Sequence, residues 1–153
     1  MLKKIMDFFS AKSRRKFENR TILFIEDNEK DRTQIEKILA RRKFRVLLSP
    51  NGESGLEIAQ KERPDLILLD VVLPGISGIE VCKRLKGDEL TQNIPVIFIT
   101  GVDTTQNLID CYEYGADDYL NKAVSPRTLI SQIELTLEDY ATTSPSAPPI
   151  ISP

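Results

Sequence analysis

Short, almost uninterrupted apolar runs separated by amphipathic segments constrain the fold of this chain more than any other feature. Three of these runs are residues 22–25, 66–69 and 96–99. A strand that is apolar at every position is buried on both faces, which is typical of the central strands of a parallel sheet. Strands that alternate with helices are joined by right-handed βαβ crossovers. The sequence therefore predicts an α/β fold with a doubly wound parallel sheet.

Capping residues set the ends of the expected helices. Asn28 is a favourable N-cap, Ser77-x-x-Glu80 forms a capping box, Gly115 suits the position after a helix, and Ser125-Pro126 suits the start of one. We expect strands at 21–25, 44–48, 66–69, 96–99 and 118–120, and helices at about 28–41, 52–62, 77–86, 103–114 and 125–140.

The two ends of the chain differ in composition from the part between them. Residues 1–20 are basic and place Leu2, Ile5, Met6 and Phe9 at helical spacing, which predicts a short amphipathic helix. Such a helix would contact an anionic membrane surface or an acidic partner, or form a locally docked extension. Residues 141–153 contain Ser, Thr and four prolines, which predicts a disordered tail. The expected domain covers residues 21–140.

Composition excludes several classes of protein. The chain contains no histidine, which excludes histidine-based catalysis and histidine-ligated zinc within it. A formal net charge of -2 offers no general attraction to nucleic acid. Cys82 and Cys111 lie outside any CxxC pattern, so we expect reduced, partly buried thiols. No apolar stretch has the length of a membrane span or a signal peptide, and we expect the protein in the cytoplasm.

Polar residues follow the strands of the predicted sheet at its carboxyl edge, where open doubly wound sheets carry their sites. They are Glu26, Asp27, Asp70, Thr100 and Lys122. Two carboxylates about 4 Å apart repel by roughly 4 kcal/mol near a protein surface, so the three acids need cations. Mg²⁺ suits them because it is a hard ion that accepts carboxylates and waters. Together with the Lys122 ammonium it would neutralise their charge.

Residues 21–140 resemble the receiver domain of two-component response regulators. The resemblance implies a flavodoxin-like (βα)5 three-layer sandwich with a five-stranded sheet of order 2-1-3-4-5. It rests on Glu26-Asp27; Asp70 followed by Val71-Val72-Leu73-Pro74-Gly75 and then Gly78; Thr100-Gly101; and Gly115-Ala116-Asp117-Asp118-Tyr119-Leu120-Asn121-Lys122.

The resemblance also implies roles for the site residues. Asp70 would accept a phosphoryl group from a histidine of a sensor kinase or a histidine phosphotransfer protein. Glu26, Asp27, Asp70 and the backbone carbonyl of Val72 would hold Mg²⁺. Thr100 and Lys122 would bind the phosphoryl oxygens, and Tyr119 would be a switch aromatic. Phosphorylation would draw Thr100 toward the phosphoryl group and let Tyr119 turn, which would alter a downstream protein's contact with the face formed by helix four, strand five and helix five.

Two positions depart from the family pattern. Ala123 follows Lys122 where the family usually has proline, and a cis bond there would cost about 3–4 kcal/mol, so we expect a trans bond. Val72 and Val102 follow Asp70 and Thr100 by two residues, at positions that in this family affect the approach of hydrolytic water. Apolar side chains cannot orient that water by hydrogen bonds. We therefore expect only slow self-dephosphorylation.

The expected function is a single-domain switch without its own output domain and without enzymatic turnover. One alternative is a constitutive docking adaptor with the same fold. Another is an aspartate-nucleophile phosphatase, which Val72 disfavours because such enzymes commonly carry a second acid at that position. A nucleotide-binding flavodoxin-like protein is disfavoured by the absence of a GxGxxG or GxxxxGK[ST] motif. Asp117 and Asp118 are interpreted as solvated acids rather than a second metal site.

Overall fold

The computed structural model of the protein describes residues 2–5, 16–101 and 104–143. Its strands form one parallel sheet of order β2-β1-β3-β4-β5, which confirms the predicted doubly wound topology. The strands are β1 Thr21–Ile25, β2 Arg45–Ser49, β3 Leu66–Leu69, β4 Val96–Thr100 and β5 Asp118–Asn121. The helices are α1 Glu29–Arg41, α2 Gly52–Glu62, α3 Gly78–Gly87, α4 Thr105–Glu113 and α5 Pro126–Thr143.

Caps and main-chain bonds account for the boundaries of the elements. The side chains of Asn28 and Ser77 accept the N–H groups of the third residue after each, so both predicted N-caps are confirmed. Strand β2 starts one residue later than predicted, because the Phe44 N–H donates to the Leu39 carbonyl at 3.3 Å instead of joining the sheet.

The last two helices differ from the prediction at their ends. Thr104 is the N-cap of α4, and the predicted start at Asp103 lies outside the described residues. Helix α5 continues to Thr143, beyond the predicted end at Tyr140 and into the predicted tail. No proline or glycine occurs between Tyr140 and Pro145, which explains why the helix continues for three more residues.

Alternate side chains of the central strands pack into two separate layers. Ile22, Phe24 and their counterparts in β3 and β4 share one layer with residues of α1 and α5, among them Leu39 and Ile133. Leu23 and Ile25 belong to the opposite layer with residues of α2, α3 and α4. This alternation has the period of two that a strand imposes. The result is the predicted three-layer α/β/α arrangement.

The segment before β1 is attached to the domain. Phe17 is 4% exposed and packs in the layer that contains α1 and α5. The Asn19 N–H donates to the Lys43 carbonyl at 2.8 Å, and Lys16 pairs with Glu138 of α5. The described residues before Lys16 are 2–5, which are helical and exposed.

Part of the predicted amphipathic helix, residues 6–15, lies outside the described residues, as do residues 144–153 of the predicted tail. Contact of residues 1–20 with a membrane or an acidic partner stays a prediction. Within the described part of the chain, none of the helices has the length and apolar character needed to cross a bilayer.

Carboxylates at the amino edge of the sheet are hydrogen-bonded to the strands. Asp65 accepts the Thr21 N–H at 2.7 Å, and Asp117 accepts the Val96 N–H at 2.8 Å. Asp118 accepts from the Gln132 side chain at 2.7 Å. The sequence did not predict these hydrogen bonds. Asp117 is exposed and Asp118 is half-buried, so both acids also contact solvent, as interpreted from the sequence.

Candidate functional site

Main-chain hydrogen bonds at the carboxyl edge of the sheet fix the backbone of the candidate site. The Asp70 N–H donates to the Ile25 carbonyl at 3.1 Å, which continues the pairing of β1 and β3 past the end of β3. The Lys122 N–H donates to the Thr100 carbonyl at 3.0 Å, which does the same for β4 and β5. Asp70 and Lys122 are therefore held by main-chain hydrogen bonds to neighbouring strands although both lie just beyond their own strands.

Three carboxylates meet at this edge, as the sequence predicted. One oxygen each of Glu26, Asp27 and Asp70 lies within 4.8 Å of the others. Glu26 and Asp70 are buried, at 0% and 3% exposure, whereas Asp27 is exposed. Solvent therefore reaches the cluster at Asp27.

The donor set of this cluster fits a divalent cation. Glu26 Oε2 is buried and has no hydrogen-bond partner among the described residues, and an unpaired buried carboxylate oxygen is costly. A hard ion such as Mg²⁺ takes carboxylate oxygens and retains waters, so it would satisfy Glu26 and use the solvent-exposed Asp27. The contribution of the Val72 carbonyl to that ion stays a prediction.

Lys122 contacts three carboxylates at once. Its Nζ lies 2.5 Å from Glu26 Oε1, 2.8 Å from Asp70 Oδ2 and 2.9 Å from Asp31 Oδ2. The predicted neighbourhood of Lys122, Glu26 and Asp70 is confirmed by these distances. Asp31 was missed, because an acid in the first turn of α1 is expected for the helix dipole alone.

Burial and these contacts set the charge of the cluster. Burial, with the Asp70 carboxylate beside it, raises the pKa of Glu26 to about 9 against the opposing effect of Lys122. Burial alone would raise the pKa of Asp70, but its interactions with Glu26 and Lys122 outweigh that and lower it. Burial would lower the pKa of Lys122, but its hydrogen bonds to Asp31, Asp70 and Glu26 raise it. Asp70 and Lys122 therefore form a charged pair.

Thr100 and Val72 contact Asp70, whereas Tyr119 lies on β5, two strands away from β3. Thr100 is fully buried, and its side chain hydrogen-bonds to Asp70. The Val72 N–H donates to Asp70 Oδ1 at 3.0 Å, while the Val72 side chain is exposed. Tyr119 is half-buried and lies opposite Phe98 in the β4–β5 register. The switching role of Tyr119 stays a prediction, and Val102 lies outside the described residues.

The loop after Lys122 is ordered without a proline. The Lys122–Ala123 bond is trans, since no cis bond occurs among the described residues, and that prediction is confirmed. The Ala123 N–H donates to Asn121 Oδ1 at 2.8 Å. This side-chain acceptor supports the turn that leads into α5.

Comparison with curated proteins shows a relative that is larger than this chain. The chain is 41% identical over 117 residues to the transcriptional regulatory protein AfsQ1 of Streptomyces coelicolor. The match covers 76% of this chain and 51% of AfsQ1. The chain spans about half the length of the curated relatives it matches first.

Solved structures show the same fold. A CheY-like receiver domain protein from Methanospirillum hungatei superposes with a TM-score of 0.77 at 26% identity, covering 82% of this chain and 98% of that one. The receiver domain of the sensor histidine kinase PA1611 from Pseudomonas aeruginosa superposes with a TM-score of 0.74 at 28% identity, covering 78% and 98%. In that structure a magnesium ion is coordinated in the active site cleft.

A protein-family model also matches most of this chain. The model described as the response regulator receiver domain matches residues 22–134. These residues include four strands completely, all of β1 except its first residue, and the whole acidic cluster. The strand order, the buried carboxylates and the matched region agree. This chain belongs to the family of response regulator receiver domains.

Proposed function

We propose that this protein is a phosphorylation-operated switch in which Asp70 is the acceptor. The observation that carries the proposal is the 2.8 Å contact of buried Asp70 with Lys122 Nζ, beside two further carboxylates. A lowered pKa keeps Asp70 ionised, and an ionised carboxylate is the nucleophilic form. The donor would be a phosphohistidine on a sensor kinase or a phosphotransfer protein.

The transfer step would be a displacement at phosphorus. An Asp70 carboxylate oxygen would form a bond to phosphorus as the phosphorus–nitrogen bond of the donor breaks, and the bonding electrons would return to the donor histidine. The Lys122 ammonium and the Thr100 hydroxyl would donate to the phosphoryl oxygens. Glu26, Asp27, Asp70 and the Val72 carbonyl would hold Mg²⁺, which when bound supplies positive charge beside the phosphoryl group.

The output would be a change in protein binding. Thr100 lies in register with Asn121, and Phe98 lies in register with Tyr119. Movement of Thr100 toward a phosphoryl group would therefore change the packing of β4 against β5. We propose that Tyr119 then turns and alters the face formed by α4, β5 and α5, where a downstream protein would bind. This is a local charge change that biases a two-state element. We place this switch in the cytoplasm.

Incubation with Mg²⁺ and acetyl phosphate tests the proposal by intact mass. We expect a gain of one phosphoryl group that requires Mg²⁺ and is lost in Asp70→Asn. Glu57→Gln is the matched control, since it removes an exposed carboxylate on α2 outside the acidic cluster. The control is expected to keep the full mass gain.

The alternative functions give different results in the same assay. Steady release of inorganic phosphate without a stable mass gain would indicate an aspartate-nucleophile phosphatase. No mass gain, together with partner binding that Asp70→Asn leaves unchanged, would indicate a constitutive docking adaptor. Either result would overturn the switch.

A further inference from the structure

Asp31 is a fourth carboxylate of the site and lies outside the cluster that fits a cation. Its Oδ2 lies 2.9 Å from Lys122 Nζ. Its backbone N–H donates to the Asn28 side chain at 3.0 Å, so the capped start of α1 fixes its position. The Asp31 side chain is 35% exposed. It is thus a partly solvated carboxylate directed at the ammonium group of Lys122.

The ammonium group of Lys122 is saturated by its present partners. An ammonium carries three N–H donors, and Lys122 contacts three carboxylates. A phosphoryl oxygen can receive a hydrogen bond from Lys122 only if one of these contacts is released. The position of Asp31 therefore affects how readily Lys122 can bind a phosphoryl group.

The three partners of Lys122 differ in what happens to them in the proposed reaction. Glu26 belongs to the acidic cluster that would take the cation, and Asp70 would become covalently modified. Asp31 does neither. Its full negative charge would remain beside Lys122 before and after phosphorylation, where it competes with the phosphoryl oxygens for the same N–H donors.

We propose that Asp31 is a positioning residue that restrains Lys122 and thereby weakens the site's affinity for a phosphoryl group while it strengthens the affinity for a cation. The inference rests on the proposed function of Asp70. The two effects have opposite signs because Asp31 attracts Mg²⁺ electrostatically, repels an anion and occupies one donor of Lys122. A purely structural role would not produce this opposition.

Beryllofluoride, which imitates a phosphoryl group on a carboxylate, provides an equilibrium test. Calorimetry would measure Mg²⁺ binding alone and then beryllofluoride binding at saturating Mg²⁺. For Asp31→Asn we expect beryllofluoride to bind about threefold to fivefold tighter and Mg²⁺ to bind weaker by a similar factor, the range expected for a partly exposed ion pair. Asp31→Glu is expected to remain close to the unsubstituted protein.

Glu29→Gln is the matched control, because Glu29 is the other acid in the first turn of α1 and is not among the ion-pair partners of Lys122. It is expected to change either affinity less than twofold. Equal affinities in Asp31→Asn and the unsubstituted protein, or a loss of both affinities together, would overturn the role of Asp31. Failure of the unsubstituted protein to bind beryllofluoride with Mg²⁺ would overturn the proposed function and this inference with it.

Discussion

Gly78 packs directly on the backbone of Asp70. A Cβ atom at Gly78 would lie 1.9 Å from the Asp70 carbonyl oxygen and 2.9 Å from the Val71 Cα. The Gly78 N–H donates to the Val71 carbonyl at 2.9 Å. The first residue of α3 thus touches the main chain that carries the acceptor, and only a residue without a side chain permits this distance.

Gly78→Ala is expected to destabilise the protein by about 3 kcal/mol, the upper end of the usual range for overpacking, since the added methyl meets backbone. Urea unfolding would measure the loss. Gly87→Ala is the matched control at the other end of α3, where an added Cβ meets nothing within 4 Å. That variant should be unchanged or about 1 kcal/mol more stable. Equal stabilities of the two variants would contradict the prediction.

Lys122→Met should make stability depend more strongly on Mg²⁺ than it does in the unsubstituted protein. The variant leaves the Asp70 carboxylate without its ammonium partner, and loss of one partner of a largely buried pair is costly. In EDTA we expect the free energy of unfolding to fall by about 2 kcal/mol, with partial recovery at millimolar Mg²⁺. Lys37→Met, an exposed lysine of α1, serves as the control. A deficit that Mg²⁺ leaves unchanged would argue against a cation site.

Cys82 and Cys111 should be unreactive in the folded protein. Both are fully buried, more deeply than the sequence predicted, and burial raises the pKa of Cys82 to about 11 and that of Cys111 to about 12. Reaction with a thiol reagent requires the thiolate, and below pH 9 less than about 1% of either group would be ionised. Labelling at pH 8.5 should therefore be slow in buffer and complete in denaturant. Rapid labelling in buffer would contradict the burial.

Residues 16–20 should contribute to stability although the sequence places the domain boundary at residue 21. Removal of Phe17 deletes a buried aromatic ring, and such losses typically cost about 3–5 kcal/mol. A chain that starts at residue 16 should thus be more stable than one that starts at residue 21, as measured by thermal unfolding. Phe17→Ala in the full chain should reproduce most of the difference. Indistinguishable melting curves would support the boundary at residue 21.

Val72→Asn should shorten the lifetime of phosphorylated Asp70. The Val72 side chain is 56% exposed beside the acceptor, so a polar group there can hydrogen-bond an approaching water without disturbing the core. Loss of phosphoryl label after donor removal would be followed in both proteins, with faster loss expected in the variant. Leu90→Asn, at an exposed position outside the described site, is the control. An unchanged rate in Val72→Asn would refute the idea that this valine slows hydrolysis.

The sheet and most of the site were predictable because local signals and burial agree in the central strands. The apolar runs of β1, β3 and β4 admit only burial on both faces, and the residues that follow them are then brought to one edge by topology. The first and last residues of the helices and strands were harder to predict than their existence. Phe44 is a residue type that favours strands, but its N–H donates to the Leu39 carbonyl near the end of α1.

Two long-range contacts were not predictable from the local sequence. Asp31 has the sequence signature of a helix start, and its contact with Lys122 joins residues 91 positions apart. Phe17 belongs to a basic segment, yet it is buried in the core layer that contains residues of α1 and α5. Nothing in the local sequence distinguishes an acid that only favours the start of a helix from one that also contacts a lysine at the end of a distant strand.

Asp117 at the amino edge of the sheet and Glu26 at its carboxyl edge differ in whether both carboxylate oxygens have partners. At the amino edge, Asp117 receives the Val96 N–H and the Tyr140 hydroxyl, and it pairs with Lys86. Its oxygens are already engaged by the protein. At the carboxyl edge, Glu26 Oε2 has no hydrogen-bond partner among the described residues. The cation site that we propose therefore lies at the edge where a buried carboxylate oxygen still lacks a partner, and the direction of the parallel strands decides which edge that is.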